Sequence, residues 1–285
     1  MPTIAVNDVD IYYEVTGQGV PLVLLHEYAT DMRAWESQVR FFSRFYQVIS
    51  FNNRGYPPST VPTDTAAYLH DRLIEDIDGL LDGLGIQQAH LVGIATGGNL
   101  ALNFALRRPE KVLGLVVVGA GAGTSNRQAW LQAATDLADG IAAGGVQAVV
   151  DSVSTAPQRI ALKNKDPLTW AMFLELMRQL DPVGAEHVMR TTLTSRAPIT
   201  DLEKALRDCQ LPILVMIGDQ DTPAEEACRF IAKQAPHAGL AVLPNCGHTL
   251  NLEEPAMFNQ IVADFLVAVS AGRWGTWIKT KDNLP

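Results

Sequence analysis

The stretch HLVGIATGGNLAL, His90 to Leu102, decides the fold prediction. It begins with the apolar run of a buried strand, passes through a turn rich in glycine, and ends in the apolar spacing of a helix. A chain that turns this sharply usually holds one side chain out over the end of a sheet. The apex residue is Ala95, whose methyl group offers no chemistry. The sequence around it must therefore explain why such a turn is built.

Strand-like and helix-like segments alternate on both sides of this stretch. Continuous apolar runs typical of buried parallel strands occur in GVPLVLLHEYA, QVISFNNRGYPPS, VLGLVVVGAGAG, LPILVMIGDQD and AGLAVLPNCGH. Segments with helical spacing separate most of them, and the N-terminal IAVNDVDIYYEVTG reads as a hairpin around Asn7 and Asp8. This alternation predicts an α/β fold with a mostly parallel sheet and helices on both faces.

The alternation stops in one place. Residues 125–201 are helical in pattern and rich in alanine, with no convincing strand-like run. We therefore predict a core formed by residues 1–124 and 202–285, with residues 125–201 inserted as a helical cap that covers the sheet.

Composition excludes several classes of protein. The chain has 285 residues, enough for a well-buried core, and a formal charge of -9 without any basic block, which disfavours nucleic acid or an anionic membrane as partner. No run approaches the roughly 18 apolar residues of a membrane span, and no secretory signal is apparent. The three cysteines, Cys209, Cys228 and Cys246, lack disulfide-framework or zinc-site spacing, which fits a reducing cytoplasm.

The turn itself has the spacing of a nucleophile elbow. Gly93 and Gly97 stand two residues before and two after Ala95, as in the G-x-S-x-G motif, where larger side chains would clash with neighbouring backbone. Every element of that motif is present except the serine. Taken alone, the glycine spacing also fits an ordinary turn from strand to helix.

Two further residues follow strands in an informative order. Asp221 lies just past LPILVMI, and His248 follows AGLAVLP. Each alone could be a solvated or structural side chain, but the order of apex, Asp and His matches that of a Ser-Asp-His triad. The loop Leu24 to Trp35 follows an early strand, where such folds supply one N–H group to an oxyanion hole.

On these residues the chain resembles the α/β-hydrolase superfamily, and the resemblance covers nearly all of it. The segments that carry it are LLHEYATDMRAW, FNNRGYPPS, LVGIATGG, GDQDTP and GHTLNLEEP. The resemblance implies eight strands, a helical cap between the sixth and seventh, and Asp221 and His248 as triad members. It also implies the backbone N–H groups of Tyr28 and Thr96 as oxyanion donors.

The chain departs from the family pattern at four positions. Ala95 stands where the nucleophilic serine belongs, and Glu27 stands where glycine is usual. Asn52 and Pro57 replace the Asp and Gly of the next loop. For Glu27 we expect a solvated or arginine-paired carboxylate, with Arg33 or Arg54 as the partner, or else a side chain that points into the pocket and selects or activates substrate.

The missing hydroxyl predicts a chain that is nearly inert as a serine hydrolase, because loss of the serine costs on the order of 10⁶-fold in kcat. We favour a parent enzyme with serine at this position, of which the present chain is a deliberate knock-out. The other interpretations are a natural pseudoenzyme that binds a small ligand, and a cofactor-free oxygenase or lyase in which His248 acts as general base. For the parent we expect ester or lactone hydrolysis, with carbon–carbon bond hydrolysis of a vinylogous diketone as the alternative.

The cap supplies candidate pocket residues. They are Trp130, Trp170, Met172, Phe173, Met177 and Met189, although at helical spacing most of them should serve packing. Their abundance favours a small substrate with an apolar or aromatic portion. No glycine-rich loop suits a nucleotide, and His26 lacks the spacing of a metal ligand, so we expect neither cofactor nor metal. Trp274 and Trp277, beyond the last helix, should pack back on the core unless they serve a homo-oligomer.

Overall fold

Eight β-strands form one sheet in the computed structural model, which describes residues 2–275. The strands are β1 (Thr3–Val6), β2 (Val9–Thr16), β3 (Pro21–Leu25), β4 (Gln47–Phe51), β5 (Ala89–Ile94), β6 (Val112–Val118), β7 (Ile213–Gly218) and β8 (Ala238–Leu243). The helices are α1 (Glu36–Phe42), α2 (His70–Gly83), α3 (Thr96–Arg107), α4 (Arg127–Gly144), α5 (Gln147–Ser154), α6 (Ile160–Lys165), α7 (Pro167–Arg178), α8 (Pro182–His187), α9 (Leu193–Ser195), α10 (Glu203–Asp208), α11 (Thr222–Gln234), α12 (Leu250–Glu253) and α13 (Pro255–Ser270).

The sheet is parallel except at one edge. Its strand order is β1-β2-β4-β3-β5-β6-β7-β8, and only the β1–β2 and β2–β4 pairs are antiparallel. The β1–β2 hairpin turns at Asn7, whose φ of 54° is tolerated by asparagine. The predicted α/β-hydrolase fold with an eight-stranded, mostly parallel sheet is therefore confirmed.

Helices cover both faces of the sheet, which explains why the parallel strands are apolar throughout rather than alternating. On one face, α2, α3 and α11 enclose a core that includes Leu91 and Phe104. On the other face, α1 and α13 pack over Trp35 and Phe258. The carboxyl ends of β3, β5, β6, β7 and β8 consequently lie side by side at one edge, where ligands bind in such sheets.

The segment between β6 and β7 is helical and lies over that edge. Helices α4 to α9, with a π-helical turn at Val188–Thr192, enclose a second apolar cluster with members from core loops. Tyr28 donates a hydrogen bond from its hydroxyl to the Ala185 carbonyl, and Thr192 donates one to the Tyr68 carbonyl. These buried bonds hold the helical segment against the core.

The chain beyond α13 returns to the sheet at Trp274. Its ring meets Phe265 edge-on at 4.7 Å, and its indole N–H donates to the His237 carbonyl. Trp277 lies outside the described residues. Within the described range, no helix combines the length and the apolar character that crossing a membrane requires.

Candidate active site

The turn after β5 has the strained geometry that its glycines imply. Ala95 has φ 51° and ψ -110°, a region that residues other than glycine rarely occupy. A Cβ at Gly93 would lie 2.3 Å from the Gly97 carbonyl oxygen, and a Cβ at Gly97 would lie 2.3 Å from the Leu25 carbonyl oxygen. Both glycines are thus required by close backbone approaches, and the turn presents the Ala95 methyl at the edge of the sheet.

Asp221 and His248 form a buried hydrogen-bonded pair near this turn. The distance from His248 Nδ1 to Asp221 Oδ2 is 2.6 Å, and the exposed fractions are 8% and 1%. Because the carboxylate can only accept, Nδ1 carries the proton and Nε2 is left as the basic nitrogen. Within residues 2–275, Nε2 has no hydrogen-bond partner, and it remains available to a ligand.

Two contacts fix the loop that carries His248. The Glu253 carboxylate accepts hydrogen bonds from the backbone N–H groups of Gly247 and Thr249, on either side of the histidine. The His248 backbone N–H donates to the Gln158 carbonyl at 2.8 Å. Since Gln158 belongs to the helical segment, this segment helps to set the position of the imidazole.

The two expected oxyanion donors line the same space. Tyr28 follows β3 and Thr96 is the first residue of α3, and neither backbone N–H has a partner in the described part of the chain. His26 braces the loop after β3: its Nδ1 donates to the Glu27 carbonyl, and its Nε2 accepts from the Asn53 backbone N–H. Burial lowers the pKa of His26, which keeps the imidazole neutral in this role.

Glu27 is paired with an arginine that the sequence did not suggest. Its two carboxylate oxygens accept hydrogen bonds from Arg159 at 3.0 and 2.5 Å, and both side chains are buried. The expected partners are engaged elsewhere, Arg33 with Asp31 and Arg54 with Asp76, so the prediction of Arg33 or Arg54 was wrong. Burial alone would raise the pKa of Glu27, but the charge and hydrogen bonds of Arg159 hold that pKa below its ordinary 4.5.

A cavity of about 240 Å³ joins these groups. Its wall brings together predicted residues from three strand ends and the helical segment: Glu27, Tyr28, Ala95, Thr96, Trp130, Met189 and His248. Asp221 lies behind His248 rather than in the wall. The volume is below the 300–1,000 Å³ typical of pockets for drug-sized ligands, so it suits a small molecule.

Three predicted substrate contacts lie elsewhere. Trp170, Phe173 and Met177 are buried in the apolar cluster of the helical segment and do not line the cavity. They lie along α7, whose inward face packs against its neighbouring helices, and Met172 on the same helix is half exposed. Sequence spacing identified an apolar helix face correctly, but it carries no information about which cavity that face borders.

Sequence reasoning also missed four residues around the site. Arg159 and Arg196 line the cavity, while Gln158 and Glu253 hold the His248 loop. Glu253 lies within the motif GHTLNLEEP, and its position five residues after the histidine was an available signal. The other three lie in the helical segment, where no local pattern distinguishes them.

A larger cavity of about 550 Å³ lies apart from these groups. Met32, Arg33, Asn52, Pro57 and Gln179 are among its walls, and none of the residues from the elbow, Asp221 or His248 loops borders it. In residues 2–275, no cluster of three or more His, Cys, Asp or Glu side chains has an arrangement that could hold a metal ion.

A parallel sheet that places a glycine-flanked elbow, a buried aspartate and a histidine at neighbouring strand ends has the architecture of a hydrolase. The chain belongs to the alpha/beta hydrolase fold family, whose sequence model matches residues 20–255. The family expectation from the motifs is therefore confirmed, with relatives among esterases and lactonases.

Two curated relatives and one solved structure illustrate the similarity. The 3-oxoadipate enol-lactonase 2 of Acinetobacter baylyi is 27% identical, covering 91% of this chain and 94% of that protein. A 2-hydroxy-6-oxononadienedioate/2-hydroxy-6-oxononatrienedioate hydrolase of Paraburkholderia phymatum is 30% identical, covering 91% and 92%. The crystal structure of an enol-lactonase from Burkholderia xenovorans has a TM-score of 0.82 at 24% identity, covering 93% and 100%, which shows the fold alone.

Proposed function

We propose that this site is built for serine-type hydrolysis of a carboxylic ester or lactone, and that the chain with Ala95 is its unreactive form. One observation carries the proposal: Ala95 is held at a strained φ of 51° beside an intact Asp221–His248 pair. Glycine would relieve this strain, and a turn without chemical purpose would not need it. A serine-to-alanine change removes only the hydroxyl oxygen and leaves the turn as it is.

With serine at position 95, each group would have a defined task. His248 Nε2 would take the proton of the hydroxyl as it attacks the carbonyl carbon, and Asp221 would orient the imidazole and stabilise its charged form. The N–H groups of Tyr28 and Thr96 would bind the oxyanion. His248 would then protonate the leaving alcohol, and water would release the acyl group by the reverse sequence.

The test is Ala95→Ser, measured on p-nitrophenyl esters, simple lactones and a vinylogous diketone from ring cleavage. We expect kcat to rise by on the order of 10⁴- to 10⁶-fold over the Ala95 chain on the best ester or lactone. Ala122→Ser is the matched control, because it adds the same hydroxyl to the same cavity away from the elbow. An Ala95→Ser protein that remains as inactive as Ala122→Ser on all three substrate classes would contradict the proposal.

Carbon–carbon bond hydrolysis is the second candidate for the same apparatus. The observation that favours it is the 30% identity to the Paraburkholderia phymatum hydrolase. The substrate panel separates the two reactions, since a carbon–carbon hydrolase would prefer the vinylogous diketone to every ester and lactone by kcat/KM.

General-base chemistry without a nucleophile is a third candidate, favoured by the free Nε2 of His248 in the cavity. It requires a substrate with an acidic proton or an activated water within reach. Such an activity would be present in the Ala95 chain and lost on His248→Ala. A binding protein would instead retain saturable ligand binding in His248→Ala and gain no turnover from Ala95→Ser.

A further inference from the structure

Arg196 is an arginine buried in the wall of the candidate active site. It follows α9, where the helical segment returns to the core, and its exposed fraction is 5%. The cavity that it lines also contains Ala95 and His248. Its position therefore places a guanidinium group next to the space in which a substrate of the proposed function would lie.

The hydrogen bonding of this guanidinium is incomplete. Nη2 donates to the Ala122 carbonyl at 2.6 Å, and Cζ lies 4.8 Å from the centre of the Trp130 ring. In the described part of the chain, Nε and Nη1 have no acceptor, and no carboxylate lies within 4.0 Å. The charge of Arg127 acts on it repulsively: Arg127 lies over the same tryptophan and donates to the Arg196 carbonyl.

Two other buried arginines show how a structural guanidinium is paired with a carboxylate in this protein. Arg54 is fully buried and bonded to both oxygens of Asp76, and Arg159 is bonded to both oxygens of Glu27. Buried charges are ordinarily paired in this way, because an isolated one is costly. Arg196 departs from the rule in the wall of a cavity where a ligand could supply the missing partner.

The charge on Arg196 persists at neutral pH. Burial, and then the nearby Arg127, lower the pKa of Arg196 to about 10. The guanidinium is therefore protonated near pH 7 and remains a buried cation in a wall that also includes Trp130, Leu137 and Leu193. Hydrogen bonds between an ionised donor and an ionised acceptor are strongest in such surroundings.

We propose that Arg196 binds a carboxylate group of the substrate, so that the ester or lactone of the proposed function carries a free carboxylate beyond its scissile carbonyl. The inference takes the ester or lactone reaction from the proposed function, whereas the carboxylate on the substrate is inferred from Arg196 alone. Glu27 does not oppose an anion here, since Arg159 already neutralises it. The substrate is then a small molecule with an apolar chain and one anionic end, rather than a purely apolar one.

The kinetic test uses matched esters in the Ala95→Ser background. The half p-nitrophenyl esters of four- to six-carbon dicarboxylic acids carry a free carboxylate, and their methylated counterparts do not. We expect the anionic member of the best pair to have a kcat/KM about 10- to 100-fold higher, and we expect this ratio to fall to about one or below in Arg196→Gln. A ratio near one before the change, or a ratio that survives it, would overturn the inference.

The matched control is Arg178→Gln, the same substitution at an exposed arginine of α7 outside the cavity. It should leave both members of each ester pair unchanged. Arg196→Gln should also unfold at the same temperature as the starting protein or a higher one, because it removes an unpaired buried charge. A structural role for Arg196 would lower that temperature and would not change the preference between paired esters.

A binding measurement separates this inference from the proposed function. Calorimetry on the Ala95 chain compares the monomethyl esters of the same acids, which are anionic, with the dimethyl esters. If no ester is hydrolysed after Ala95→Ser but the monomethyl ester binds at least about tenfold tighter in an Arg196-dependent way, the proposed function fails and the anion site stands. Equal binding of both esters, or no binding of either, would overturn the anion site.

Discussion

The two walls of the cavity are built in different ways. The core wall carries Ala95 and His248 after β5 and β8, with Asp221 behind His248 after β7, and each of the three lies in a short loop that follows its strand. The opposite wall depends on contacts between distant segments: Glu27 and Arg159 are 132 residues apart. Short loops after neighbouring strands therefore place the reactive groups, with Gln158 of the helical segment holding the His248 loop, whereas docking of the helical segment places the charged groups that a substrate would contact.

This difference predicts different consequences of mutation. Changes in the core wall should affect the rate of a restored reaction first. Changes at the Glu27–Arg159 pair should affect stability first, because removing one partner leaves the other as an unpaired buried charge. Four experiments test this division, from the largest expected effect to the smallest.

The largest effect is expected at His248 in the Ala95→Ser background. His248→Ala should lower kcat on the best ester by on the order of 10⁶-fold, and Asp221→Ala by about 10⁴-fold, because the aspartate acts through the imidazole. Steady-state kinetics on purified variants measures both. Equal losses below tenfold would contradict the assignment of the pair as the base and its orienting group.

The next largest effect is expected at the Glu27–Arg159 ion pair, which joins the loop after β3 to the helical segment. Glu27→Ala should lower the free energy of unfolding by about 3–5 kcal/mol, since Arg159 then remains buried without its counter-charge. The double variant Glu27→Met with Arg159→Met should recover most of this loss, because it removes both charges. Urea unfolding of the two variants gives the comparison. A double variant that loses as much stability as Glu27→Ala, or more, would refute this coupling.

The same pair gives a pH dependence with a defined sign. The pKa of Glu27 is lowered on folding, so its contribution to stability is complete above its ordinary pKa of 4.5 and is lost as the pH falls through the lower folded value. In acid, the protein that has Glu27 and Arg159 should therefore lose stability relative to the double methionine variant. Urea midpoints at about pH 7 and about pH 3.5 test this. A shift in the opposite direction would show that burial raises the pKa of Glu27 more than Arg159 lowers it.

The smallest effect tests the strain at the elbow. Ala95→Gly should raise the free energy of unfolding by about 1 kcal/mol, because relief of backbone strain exceeds the entropic cost of glycine. Ala133→Gly, on the exposed side of α4, is the control and should lower stability by about 1 kcal/mol. A loss of stability in Ala95→Gly similar to that of the control would mean that the turn is not strained.

The sequence predicted the core wall because its signals are local. The glycines at 93 and 97 are dictated by backbone approaches within a few residues and to the adjacent β3, so their spacing alone identified the turn. Asp221 and His248 each follow a continuous apolar strand, and parallel strand ends meet at one edge of the sheet. Position along the chain was therefore enough to bring them together.

The opposite wall could not be predicted in the same way. Arg159, Gln158 and Arg196 occur in a helical stretch in which no spacing separates cavity residues from packing residues. For the same reason Trp170 was expected at the substrate and lies within the apolar cluster of the helices. The partner of Glu27 depends on how the helical segment docks, which is a property of the tertiary structure and not of any motif.

The most direct test of the central claim is covalent labelling at position 95 in the Ala95→Ser variant. A fluorophosphonate reacts with an activated serine hydroxyl without requiring knowledge of the substrate. Intact-mass spectrometry should show one phosphonyl group per chain in Ala95→Ser, mapped to position 95, and none in the Ala95 chain or when Ala95→Ser is combined with His248→Ala. An Ala95→Ser chain that stays unlabelled while folded would contradict the account, because the elbow, His248 and the oxyanion donors would then not form a working site.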